Sequence, residues 1–423
     1  EVTLVAAVEA TDAAGNRSRD ESTIEIDTYV NELEMTTNTA GGDDGVVNFN
    51  ESSQSITMAG TVEVGSTVSV NLHGVIMQAS VNAQTGAWTV TYPGGSLPGG
   101  EYSTTVVVTA TDGAGNSSAL SEAVHVDTVA GDLALSTQPI EFDDVVNYDE
   151  ASDGVIINGT ATPGLIVTVG FGDATMDVLA QPNGTWSANF PAGQVPADTA
   201  SAQITASITD AAGNYKEVSD TVEIDTVVNP FNFSAGQIEG NDIINHAEAE
   251  NGGVTFDGQV EAYSSVLVEF NGYSQTVNAN GAGQWSATFT EAQIGVAEYT
   301  AVVKATATDP HGNVSAPITR TVEVDTLVTH LRTADPVEGD NVVNFAEAAD
   351  GVTLTGTVEA GSTVMITYDY AGGQIVRAAQ VDGAGNWSIT YAGSEIPQGE
   401  YDVDITIDAT DANGNTLSIA DAF

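Results

Sequence analysis

The chain contains no cysteine. That excludes a disulfide framework, a zinc–thiolate site and a cysteine nucleophile. Small domains outside the cell usually lean on disulfides, so an extracellular chain of this kind needs another source of rigidity. Positive charge is nearly as scarce: Arg17, Arg19, Lys216, Lys304, Arg320, Arg332 and Arg377 face 59 Asp and Glu, a net charge of −52. The resulting field repels nucleic acid and anionic membrane, and ion pairs cannot neutralise so many acids. No apolar run is long enough to cross a bilayer, and no signal-peptide pattern opens at Glu1. Aromatics are only 6% of residues, and strong acidity with few aromatics can mean disorder. Here 41% of residues are hydrophobic and they alternate along the chain, which argues for folded strands.

What is present is a repeat. Thr11-Asp-Ala-Ala-Gly-Asn16 returns at Thr111–Asn116, Thr209–Asn214, Thr308–Asn313 and Thr410–Asn415, its aspartates spaced by 100, 98, 99 and 102 residues. Asp-Thr pairs follow at Asp27, Asp127, Asp225 and Asp325, and tryptophan keeps the same beat at Trp88, Trp186, Trp285 and Trp387. Landmarks in register at such a period define a tandem array. Within a unit, Ile56, Met58 and Val62, then Val68, Val70 and Leu72, then Trp88, Val90 and Tyr92 alternate with polar neighbours. Period-two alternation broken by Gly, Asn and Pro predicts antiparallel strands, about seven per unit of roughly 100 residues. The predicted fold is all-β, a tandem array of Ig-like antiparallel β-sandwich domains, with no sustained helical period.

The Asp-Thr pairs set the expected boundaries. Residues 1–27 read as the final hairpin of a preceding repeat. Full repeats occupy 28–127, 128–225 and 226–325, and 326–423 stops before its last strand, so the chain reads as part of a longer protein. Linkers of a few residues leave neighbouring repeats nearly touching. The tryptophans read as core. Tyr102, Tyr299 and Tyr401 read either as core residues or as the tyrosine corner of Ig-like folds, and Thr199 departs from that pattern.

Acids recur at fixed places. A first loop carries Asp43, Asp44, Asn48 and Glu51, then Asp143, Asp144, Asn147 and Glu150, then Asn241, Asp242, Asn245 and Glu248, then Asp340, Asn341, Asn344 and Glu347. The hairpin loop carries Asp12 and Asn16, Asp112 and Asn116, Asp210 and Asn214, Asp309 and Asn313, and Asp411 and Asn415. The linker supplies Asp27, Asp127, Asp225 and Asp325; a turn adds Glu63, Glu261 and Glu359, with Thr162 in the second repeat. Alternating strand direction sends the first loop to the downstream end of its sandwich and the turn and hairpin to the upstream end. Each junction would then gather acids from two repeats and the linker. Such crowding is repulsive without a cation, and calcium takes 6–8 oxygens in flexible geometry. Several calcium ions per repeat, concentrated at the junctions, are expected. Asp, Asn and Gly are also ordinary turn residues; for the hairpin alone the turn reading leads, whereas for the first loop the metal reading leads.

The motif series Asp-Asp/Asn-x-Val-Asn-x-x-Glu, Gly60-Thr-Val-Glu-Val-Gly-Ser66, Gly-x-Trp and Ala110-Thr-Asp-Gly-Ala-Gly-Asn116 resembles the bacterial Ig-like repeats of giant type I-secreted, RTX-type adhesins. The resemblance spans the whole chain. It implies a monomeric, calcium-dependent stalk on the bacterial cell surface that projects a distal ligand-binding domain, partnered by calcium and by its own neighbouring repeats. The RTX nonapeptides are absent. No catalysis is expected: His73, His125, His246, His311 and His330 occupy unrelated repeat positions, and the paired acids are accounted for by the repeat. The alternative is that the repeats themselves bind carbohydrate or a cell-surface protein through their loops.

Overall fold

The computed structural model describes residues 2–334 and 336–422. The chain divides into two compact units, one of Glu1–Val146 with Glu150–Ile224 and the other of Asn147–Asp149 with Asp225–Phe423. The first holds the antiparallel hairpin Val2–Thr11/Arg17–Ile26 and two β-sandwiches, and the second holds two more. The fold is a tandem array of Ig-like sandwiches.

The sandwich around Trp186 shows the plan. Leu133–Leu135, Val155–Ala161 and Thr185–Phe190 form one antiparallel sheet. The other runs in the order Val145–Val146, Tyr215–Asp225, Thr199–Thr209, Ile166–Phe171 and Ala174–Leu179. Its pairs are antiparallel except the first, where Val145 and Val146 lie parallel to Glu223 and Ile224. This two-residue strand recurs as Val46–Val47 and Ile243–Ile244. With it the first sandwich has nine strands and the second and third have eight, where about seven were expected. The sequence hid it because two residues carry no alternation.

Alternation decides which side chains go inside. In Thr185–Phe190, Trp186, Ala188 and Phe190 are buried between exposed neighbours. Four cores result, spanning Val30–Val126, Ala130–Ile224, Ile238–Val324 and Val328–Ala409, each around its own tryptophan. Burying one large apolar side chain contributes about 1.5–3 kcal/mol, so these tryptophans anchor domains that lack disulfides. Each ring lies against a glycine of the facing strand. A Cβ on Gly159 would come within 2.2 Å of the Trp186 ring and 2.4 Å of Ala134 O. The three tyrosines are tyrosine corners: Tyr102, Tyr299 and Tyr401 donate to the backbone oxygens of Pro98, Ile294 and Pro397, at 2.9, 2.6 and 2.6 Å.

Candidate metal sites at the repeat junctions

The hairpin loop closes on its own aspartate. Asp112 Oδ1 accepts the N–H groups of Ala114 and Asn116, and its Oδ2 accepts the Asn116 amide at 2.7 Å. The same pattern holds at Asp12, Asp309 and Asp411. At Asp210, the Asn214 N–H and amide make the equivalent bonds. This is the Asx-type turn that the residue types favour. Burial pushes Asp112 up, but the Asn116 amide and the hairpin N–H groups outweigh it and hold its carboxyl below the usual value.

The hairpin asparagines, expected as ligands, make hydrogen bonds that reach beyond their own loop. Asn214 accepts the Phe49 N–H at 2.8 Å and donates to Asp127 O at 2.9 Å. In the second unit, Asn313 accepts from Tyr148 at 2.7 Å and donates to Asp225 O at 2.9 Å. Asn415 does the same with His246 at 2.8 Å and Asp325 O at 2.9 Å. All three are 3% exposed. Each amide therefore bonds both the linker aspartate's carbonyl and the first N–H of a short helix. Asn16 and Asn116 bind their own hairpin aspartates through the same amide nitrogen.

In the first loop the Asn-x-x-Glu spacing, expected as a ligand set, opens a short helix: Phe49–Ser52, His246–Glu250 and Phe345–Asp350 carry reciprocal capping boxes from Asn48 and Glu51, Asn245 and Glu248, and Asn344 and Glu347. Asn147 and Glu150 hold the same places around Tyr148–Asp153. The paired acids tie down their own backbone. Asp44 accepts from Val46; Asp143 and Asp144 accept from Val145 and Ile140. Asn241 and Asp242 accept from Ile243 and Ile238, Asp340 and Asn341 from Val342 and Val337. The Ile238 N–H, and then Arg320, which reaches Asp242 at 2.7 Å, hold Asp242 below its usual range. Asp43, the remaining first-loop acid, neighbours Asp44 in this segment.

Carboxylates converge at the upstream end of the sandwiches. Among the described residues, three groups place one ligand atom each within 4.8 Å of the others: Asp27, Glu63 and Asp112; Asp325, Glu359 and Asp411; and Asp225, Asp309 and His311. The first two each combine linker, turn and hairpin. Asp127 and Asp210, at the equivalent places in the second repeat, fall in no such group. No first-loop residue takes part either.

The electrostatics match the crowding. Burial is the main cause that raises Glu359, with Glu298 and Asp325 adding to it. Burial, then Asp411 and Glu298, raises Asp325, although the Asn413 amide opposes this. Burial also raises Glu261, and Asp225 and Asp309 push the same way. At the first junction, Asp27 Oδ1 is buried without a hydrogen-bond partner.

Three kinds of residue lay outside the sequence expectation. His311 occupies the fourth position of the hairpin motif, where Ala14, Ala114, Ala212 and Asn413 stand in the other copies, and its Nδ1 lies 2.7 Å from Asp225 Oδ2. Its place beside Gly312 in the hairpin motif was the available signal. Ser66, Ser264 and Ser362, each three residues after a turn glutamate, bury hydroxyls that find no partner. Glu141 and Glu239 sit at φ of 47° and 49° beside the capped helices, raised by burial and then by Glu150 and Glu248.

No protein-family profile matches the chain, and no curated protein does. Solved structures similar to it include a Ca2+-stabilized adhesin that helps an Antarctic bacterium reach out and bind ice. That chain is 27% identical, with a TM-score of 0.38 and coverage of 94% of this chain and 99% of that one. A 1.5-MDa bacterial ice-binding adhesin is 24% identical over 72% of this chain and 100% of that one, at a TM-score of 0.33. A tetra-tandem repeat from the extending region of a large adhesion protein is 20% identical over 89% and 98%, also at 0.33.

Proposed function

We propose that this chain is an extender segment of a large bacterial surface adhesin, in which calcium ions at the repeat junctions hold successive sandwiches against one another. It spaces a distal binding domain from the cell and performs no catalysis. The observation that carries the reading is the repeated convergence of linker, turn and hairpin carboxylates within 4.8 Å. Without a cation that geometry is unfavourable, as the raised Asp325 and Glu359 indicate.

The donor set suits the ion. Carboxylate oxygens from separate elements form a hard, irregular donor set, which calcium tolerates and strictly octahedral magnesium does not. The unpartnered Asp27 Oδ1 supplies an oxygen that no hydrogen-bond donor among the described residues satisfies. Asp27, Glu63 and Asp112 would hold one ion, and Asp325, Glu359 and Asp411 another. Asp225, Asp309 and the nearby Glu261 would hold a third beside His311.

Thermal unfolding in calcium and in chelator tests this. An ion that binds only the folded protein adds about 2.7 kcal/mol per site at a hundredfold excess over its dissociation constant. A markedly lower Tm in chelator, restored by calcium and not by magnesium, is the expected result. An unchanged melt removes the calcium reading.

A further inference from the structure

The junction at residues 127–132 is built differently from the others. At three linkers the turn glutamate accepts a linker N–H. Asn31 donates to Glu63 at 2.9 Å, Thr329 to Glu359 at 3.3 Å, and Asn229 to Glu261. At the fourth, Thr162 replaces the glutamate, and its hydroxyl accepts the Asp132 N–H at 2.8 Å. The Thr162 N–H returns a bond to Asp132 O at 2.9 Å. The linker is one residue longer here, since Asp132 stands five places after Asp127 while Asn31 stands four after Asp27.

The extra residue is Gly131. Its φ is +90°, and a Cβ would lie 2.4 Å from Thr162 Oγ1, so the position accepts glycine alone. Its carbonyl receives the ammonium of half-buried Lys216 at 3.3 Å. Lys216 is one of only seven basic residues in the chain. The same repeat replaces the buried turn serine of the other three with Leu165, which packs against the hydrophobic core. Glutamate, serine and carboxylate group thus disappear together where threonine, leucine and lysine appear.

We infer that the junctions are of two kinds: three are drawn together by calcium, and the one at 127–132 is clamped by Lys216 and Thr162 without an ion. The inference rests on the calcium reading of the other three. Removing the glutamate takes one negative charge from the junction, and the ammonium adds a permanent positive one. The linker itself is held by hydrogen bonds that need no ion. When calcium is withdrawn, this joint stays closed while its neighbours loosen.

Hydrogen exchange on the full chain, in calcium and in chelator, reads this directly at one amide per linker: Asn31, Asp132, Asn229 and Thr329. Chelation is expected to speed exchange about tenfold or more at Asn31, Asn229 and Thr329, and by less than about twofold at Asp132. Lys216→Met keeps most of the side-chain packing. It is expected to speed exchange at Asp132 equally in calcium and in chelator, with the other three amides as in the parent. If all four amides respond to chelator, the two-kinds inference falls and the calcium reading stands. If none responds, both fall. Unchanged exchange at Asp132 in Lys216→Met overturns the lysine clamp.

Discussion

Two acid-rich regions recur in every repeat, and by composition they look interchangeable: the first loop, with its paired acids and Asn-x-x-Glu, and the hairpin with its linker and turn. The structure separates them. In the first loop Asp44, Asp143, Asp144, Asp242 and Asp340 accept a loop N–H, and Glu51, Glu248 and Glu347 accept the backbone N–H that they cap. At the upstream end, hairpin and turn acids also accept N–H groups, but there they crowd one another and the linker acid as well, and Asp27 Oδ1 meets no donor. Acids spaced along a loop are satisfied by its N–H groups, whereas acids brought within reach of one another ask for a cation besides. Counting carboxylates therefore says little, and asking what donor each one faces says more.

Substitution at Glu359 gives the strongest way to sharpen that contrast. Burial raises this carboxyl, and Glu298 and Asp325 add to the shift. Glu359→Gln retains an oxygen for the Thr329 N–H but removes one charge. In calcium the variant should lose much of one site's stabilisation, up to about 2.7 kcal/mol at a hundredfold excess of ion. In chelator the sign should reverse, with the variant as stable as the parent or more so, because a repulsive charge is gone. Calorimetry in the two buffers reads both signs. A loss of equal size in both would make Glu359 an ordinary linker-binding residue.

Acidity should erase the same difference by a smaller step. Asp325, Glu261 and Glu359 have folded-state values above their ordinary 3.8, 4.5 and 4.5. A raised folded value means that stability without the ion is lost as pH rises through it and regained as pH falls. Protons and calcium compete for the same oxygens, so the calcium contribution shrinks as pH falls towards those raised values. The Tm gap between calcium and chelator should be widest at neutral pH and should close on acidification. A gap that does not narrow would mean that the stabilising ions bind elsewhere.

The periodic part of this protein was legible in advance. Alternation fixed which of Trp186, Ala188 and Phe190 turn inwards, and the repeat located the hairpins whose aspartates close Asx-type turns. Strand polarity also anticipated that a first loop would meet the following hairpin, as Phe49 meets Asn214. Hydrogen-bond direction was not legible. Asn48-x-x-Glu51 supplies oxygens to an ion or caps to a helix with the same letters, and a four-residue helix is too short to show a period. Asn214 was hidden for a related reason: an amide both donates and accepts, and which partners it meets depends on a helix and linker far away in sequence. His311 was visible only as a lone histidine until the fold placed it against Asp225.

The smallest expected effect tests the other half of the comparison. Asn344 caps Phe345–Asp350 by accepting the N–H groups of Ala346 and Glu347 at 2.9 and 3.2 Å, while Glu347 accepts the Asn344 N–H at 2.9 Å. Asn344→Ala removes the side-chain half of this box and leaves two first-turn N–H groups to water. Loss of such a cap costs about 0.5–2 kcal/mol, and this site is solvent-exposed, which favours the lower end. The decisive feature is calcium dependence rather than size. If the first loop holds its own backbone, the loss of Tm should be the same in calcium and in chelator, and the ion affinity of the full chain should stay at the parent value. Should the loss appear only in calcium, Asn344 is a ligand after all, and the division between a self-satisfied loop and an ion-seeking junction does not hold.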